Sequence, residues 1–222
     1  MLLDREEIQR AAQHLGIKPV MLVSPYGFLI LHLVQRPNGE YGTHHQMGSK
    51  VQLDGRIGVT AFPVWVDGQG LKRTCLVKHF RVTLAWMPEA YGSGWELEFP
   101  AFGAEHEQGI VSSVQQELME EAGLRLVGDP RRLDAEDDAH PGFAIFPGIS
   151  SHIEQVWHCP VEPTEEAPVE EEEGIIGRVL WTKAELQDAF RKGRVVLDGQ
   201  PYVTTLAHNL FASHWAELRG IW

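Results

Sequence analysis

The chain has 222 residues, with 19 Lys and Arg against 31 Asp and Glu, a formal net charge of −12, and 43% hydrophobic residues. That size and composition fit a globular chain with a sizeable core, and the acidic balance excludes nucleic-acid binding through a basic footprint. No apolar run approaches the ~18 residues of a membrane span, and Cys75 and Cys159 are too few for a disulfide framework.

The N-terminus, MLLDREEIQR, has no basic segment followed by an apolar core. No signal peptide is expected, and the location expected by default is cytoplasmic. Asp4 to Leu15 reads as a short helix, with Asp4 and Glu7 as a capping box and Gly16 at its C-terminal end. Val20–Val23 and Phe28–Val34 flank Ser24-Pro25-Tyr26-Gly27 and predict a hairpin. Residues 35–57 are polar with little periodicity, and His44-His45 reads as a surface loop pair. Residues 1–57 therefore form a β-rich arm with a leading helix, too poor in apolar surface to fold well alone. Residues 58–222 form the main domain.

Val59–Val66 and Thr74–Val82, joined by Asp67-Gly68-Gln69-Gly70, predict a second hairpin. Trp95–Phe99 is a short strand ending at Pro100, and a loop follows from Ala101 to Gly109. A helix is expected over Ile110–Ala122, stopped by Gly123, with Val111, Val114, Leu118 and Ala122 on its buried face. Leu124–Val127, Phe143–Phe146, Glu154–Cys159 and Gly177–Trp181 are further strands. Residues 160–173, with three prolines and seven glutamates, read as a solvated loop. Thr182 and Glu185 predict a capping box on a helix ending near Gly193, and Tyr202–Leu218 a closing helix.

The predicted helix Ile110–Ala122 carries the chemistry. Glu117, Glu120 and Glu121 form a strip about 100° around from Leu118, on one flank of the buried face. Carboxylates at i, i+3 and i+4 repel one another, a cost that a hard cation with oxygen ligands removes. An ordinary solvated acidic face is the alternative.

ELMEEAGL resembles the end of the Nudix box, G-x5-E-x7-R-E-U-x-E-E-x-G-U with U aliphatic. The match covers Glu117, Leu118, Glu120, Glu121, Gly123 and Leu124. Phe102, Gln108 and Gln116 depart from it, standing at the family's Gly, first Glu and Arg. Glu98-Phe99-Pro100-Ala101-Phe102 is similar to the ELPAG segment of ADP-ribose pyrophosphatase-like members, and LVKHFR keeps that subgroup's Arg at Arg81. FPGISSHIEQVW resembles its Pro-Gly loop and following strand, and the likeness runs over roughly residues 58–212.

The resemblance implies a Nudix α/β/α sandwich with a mixed sheet, preceded by the β-rich arm. It implies a hydrolase of a nucleoside diphosphate linked to another group, such as ADP-ribose or an ADP-sugar. Glu117, Glu120, Glu121 and the Ala101 carbonyl would hold Mg2+ or Mn2+. Arg81, Glu98 and Phe102 would meet the substrate, and His152 or Glu154 would assist the attacking water alongside Glu117. Gln108 and Gln116 would face each other in place of the family's ion pair, and Gly103 would take over the bend that Phe102 disfavours. The subgroup pairs its N-terminal strands across a homodimer. A non-catalytic, Nudix-derived nucleotide- or protein-binding module is the alternative. No P-loop, dinucleotide loop or nucleophile elbow is present.

Overall fold

The computed structural model describes residues 21–23, 27–35, 41–49, 57–81, 94–104, 109–136, 142–144, 153–165 and 174–222. The expected helix over Asp4–Leu15 lies outside them, as do His152 and Gln108. The chain divides into two compact units, Met1–Ile57 with Ala144–Ile153, and Gly58–Phe143 with Glu154–Trp222.

In the first unit, β1 (Met21–Val23), β2 (Gly27–Gln35) and β3 (Tyr41–Ser49) make an antiparallel sheet in that order. The expected β1–β2 hairpin is present, pairing Met21 with Ile30 and Val23 with Phe28. β3 pairs with the whole of β2, from Gly27 with Ser49 to Gln35 with Tyr41. The sequence did not announce β3, because a strand needs backbone partners and not an apolar pattern of its own. His44 and His45 thus sit on a strand, not in a loop.

The second unit holds β4 (Ile57–Val66), β5 (Lys72–Phe80), β6 (Trp95–Glu98), β7 (Ala101–Ala104), α1 (Ile110–Ala122), β8 (Leu124–Leu126), β9 (Arg131–Arg132) and β10 (Phe143–Ala144). β11 (Ile153–Pro163), β12 (Ile175–Thr182), α2 (Lys183–Lys192), β13 (Arg194–Leu197), β14 (Gln200–Val203) and α3 (Ala207–Leu218) follow. The sheet path is β10-β11-β4-β5-β6-β14-β13, with β12 on β5 and β7 on β4. It is mixed, since β11–β4 and β14–β6 are parallel while the other assigned pairs are antiparallel.

Asp67 builds the turn between β4 and β5, accepting from the Gln69 and Leu71 amides at 2.8 and 3.0 Å. The hairpin pairs only at Trp65 with Arg73 and Val66 with Lys72. Beyond that point β6 takes the same edge of β5, pairing Val77 with Glu98 and His79 with Glu96. β12 occupies the opposite edge, pairing Arg178 with Val77.

Strand alternation sorts the core into two layers. Val59, Ala61, Cys75 and Val77 join Val114, Leu118 and Ala122 of α1 on one face. Phe62, Val64, Leu76, Leu97 and Phe99 join Leu186 of α2 and Ala212 and Ala216 of α3 on the other. This is the expected α/β/α sandwich with a mixed sheet.

Several local expectations are revised. β7 replaces part of the expected Ala101–Gly109 loop. β11 continues through Pro160 to Pro163, beyond the expected end at Cys159, and the Pro160 carbonyl accepts from the Val127 amide at 3.0 Å. The closing helix starts at Ala207 and not at Tyr202, because Asp198-Gly199 turns β13 back into β14. Both turn residues have positive φ, 52° and 81°, the conformation that Asp-Gly favours in a two-residue hairpin. The capping box of α2 forms as expected.

Candidate functional site

Two glycines bracket α1. Gly109 precedes it with φ 78°, and Gly123 ends it in the left-handed region with its amide bonded to the Leu118 and Met119 carbonyls. A side chain from β12 secures that end. Arg178 Nη1 donates to the Ala122 and Gly123 carbonyls at 2.5 and 2.7 Å, and Nη2 to the Thr164 carbonyl at 2.5 Å.

Along α1, Val114, Leu118 and Ala122 are buried as expected. Val111 is 48% exposed, because the first turn lines an open pocket of about 340 Å3 with Arg132, Gln155 and Trp157. The three glutamates grade across the flank. Glu121 is 6% exposed, Glu117 half-buried and Glu120 exposed. Gln116 Nε2 donates to both Glu120 oxygens, at 3.1 and 3.4 Å. These two residues line a second open pocket of about 400 Å3 with Ser112, Gln115, Met119 and Arg125.

Ala101 and Phe102 lie on β7, and Phe102 packs half-buried against the α1-side core. Neither Phe102 nor Gly103 has a positive φ, so Gly103 has not taken over a bend. The left-handed backbone before α1 is at Gly109.

Alternation decides which face the other candidates occupy. Glu154 pairs in register with Gly58 and accepts a hydrogen bond from the Thr60 hydroxyl. It therefore shares the face of Phe62 and Val156, opposite the α1 face. The structure does not bring Glu154 together with the α1 glutamates. Gln155 and Trp157 occupy the α1 face instead.

Arg81 and Glu98 do come together, on the same face as Val77 and Cys75. Arg81 Nη2 lies 2.7 Å from Glu98 Oε1, and its Nε 2.9 Å from Glu96 Oε1. His79 Nδ1 contacts Glu98 Oε1, and His208 at the start of α3 brings Nε2 within 3.4 Å of Glu98 Oε2. Burial and then the Glu98 charge push Glu96 up to about 8. Burial works against the Glu98 charge too, but His208, His79 and Arg81 outweigh it and hold that carboxyl well below the usual carboxylate range. Desolvation opposes the Arg81 charge, yet Glu98 and Glu96 keep its pKa above the usual arginine value.

Among the described residues, the group of metal-ligating atoms within 4.8 Å of one another is His79, Glu96 and Glu98. The α1 glutamates are not gathered that tightly. The sequence reading passed over His79, Glu96 and His208. The alternation Glu96-Leu97-Glu98 was the available signal, since residues two apart on a strand share a face.

No family model and no curated protein matches the sequence. A solved crystal structure of an ADP compounds hydrolase superposes with a TM-score of 0.60 at 18% identity, covering 91% of this chain and 96% of that one. The likeness shows the fold, a mixed-sheet α/β architecture. Among the described residues no helix is long and apolar enough to cross a membrane.

Proposed function

We propose that this chain is a divalent-metal-dependent hydrolase of a nucleoside diphosphate linked to another group, with ADP-ribose or an ADP-sugar as the substrate class. The observation that carries this reading is the glutamate turn of α1, fixed at its end by Gly123 and Arg178, on a Nudix-like scaffold. The donor set fits the implied metal. Three carboxylates on one flank, one buried and one half-buried, are the hard oxygen ligands that Mg2+ or Mn2+ takes.

Glu117, Glu120 and Glu121 would hold the ion, with the Ala101 carbonyl as a further ligand. The ion supplies neutralisation of the pyrophosphate and a more acidic bound water. Glu117, less buried than Glu121, accepts the proton of the attacking water, with His152 as the second candidate. Arg81, with a side chain 42% exposed, reaches the phosphate while Glu96 and Glu98 orient it. The 18–57 arm pairs with a second copy, since β1 and β3 are the outer strands of a sheet with edges to cover.

A phosphate-release assay over nucleotide sugars, dinucleotides and nucleoside triphosphates, with Mg2+ or Mn2+, tests the activity. Cleavage of ADP-ribose-like compounds by the wild type, lost in Glu121→Gln, is the expected result. Tight nucleotide binding without turnover across the panel would establish the second reading, a non-catalytic module. Gln116 bonded to Glu120 and Phe102 packed into the core at the box glycine position favour that second reading.

A further inference from the structure

We propose that His79, Glu96, Glu98 and His208 form a binding site for a single transition-metal dication of the Zn2+ type, separate from the α1 glutamates. Three of the four side chains come from neighbouring strands that force them together. His79 and Glu96 are cross-strand partners of β5 and β6, and Glu98 stands opposite Val77 on the same face. Their ligand atoms all lie within 4.8 Å of one another. His79, Glu96 and Glu98 are 5%, 3% and 2% exposed.

A second observation, independent of that clustering, points to a ligand. Glu98 Oε2 and His208 Nε2 are both buried with no hydrogen-bond partner. They stand 3.4 Å apart as an ion pair, at a distance and angle that make no hydrogen bond. A tetrahedral ion with bonds near 2.05 Å separates adjacent ligand atoms by about 3.3 Å. The two atoms therefore have the spacing of a coordination edge, and an ion pair without a hydrogen bond leaves both buried atoms under-satisfied.

The donor chemistry selects the metal. Two imidazoles and two carboxylates suit Zn2+ and its neighbours in the first transition row, whereas Mg2+ takes oxygen ligands alone. Arg81 is the competing cation, bound to Glu96 and Glu98 but with its side chain 42% exposed. When a dication takes its place beside the two carboxylates, its exposed guanidinium is freed to swing outward, where it can still reach a phosphate. The site stands whether or not the α1 reading holds.

Co2+ titration of the full chain followed by visible absorption tests the site, since tetrahedral Co2+ absorbs far more strongly than octahedral Co2+. One equivalent with tetrahedral bands is expected, displaced by Zn2+. Glu96→Gln should weaken binding at least tenfold, and so should His208→Gln, a second variant on a side chain that is 20% exposed. Arg81→Gln, which removes the competing cation, should tighten it. Glu121→Gln should leave the bands unchanged. Absence of tetrahedral bands in the wild type would overturn the site. So would bands abolished by Glu121→Gln but kept in both Glu96→Gln and His208→Gln, or unchanged affinity in Arg81→Gln.

Discussion

Arg178 Nη1 lies 2.7 Å from the Gly123 carbonyl, so a β12 side chain holds the end of the helix that carries the three glutamates. The same nitrogen reaches the Ala122 carbonyl, and Nη2 reaches Thr164. Arg178→Met keeps the aliphatic stem but leaves these carbonyls without their charged donor. Loss of about 1.5–3 kcal/mol is expected, the range for hydrogen bonds to a charged group. Urea unfolding of both proteins measures it, and an unchanged midpoint would show that the clamp contributes nothing.

Asn209 closes the edge of β6. It accepts from the Phe99 amide at 2.9 Å and donates to the Leu97 and Thr204 carbonyls at 2.7 and 3.1 Å, with no exposure to solvent. Asn209→Ala strands these backbone groups and should cost about 2–4 kcal/mol. Asn209→Asp keeps the acceptor for Phe99 but buries a carboxylate against both carbonyls, so it should destabilise at least as much as alanine. Thermal unfolding of the three proteins gives the order.

Placing a glycine at position 102, as in the motif the sequence resembles, should harm this protein. Phe102 packs against the α1-side core on a strand with no positive φ, so glycine gains no conformational freedom the fold uses. Phe102→Gly should lower stability by about 2–3 kcal/mol through lost packing and added chain entropy. A neutral or stabilising effect would mean that Phe102 strains β7.

His158 should sensitise the fold to acid. Burial, with Arg131 and Lys72 nearby, lowers its pKa from 6.5 to about 4. Below pH 6.5 the unfolded chain takes up a proton that the folded chain refuses until about pH 4, so this group's contribution to stability falls across that window. Above pH 6.5 it is neutral in both states and contributes no slope. His158→Gln should flatten the decline between those limits. An identical pH profile in wild type and variant would show that other groups set the acid limb.

Short-range physics made part of this protein legible from its sequence alone. Ile110–Ala122 begins and ends where it was expected, because glycines at 109 and 123 supply the backbone turns at its ends. Thr182 and Glu185 cap α2 through contacts three residues apart. The glutamate strip was visible because helical spacing is fixed by the backbone. The fold followed from the order of these elements together with a resemblance.

Pairing partners distant in sequence decided the rest. β3 is a strand because β2 lies beside it, and its own residues carry no apolar pattern. The Asp198-Gly199 hairpin was readable, but the helical reading of Tyr202–Leu218 obscured it. Glu154 was placed by its register against Gly58 and Thr60, which turned it to the face opposite α1. The cluster of His79, Glu96, Glu98 and His208 spans 130 residues of sequence and exists only because β5, β6 and the start of α3 meet. A sequence fixes which side chain each strand turns to a face by its period of two, but only tertiary pairing decides what that face meets.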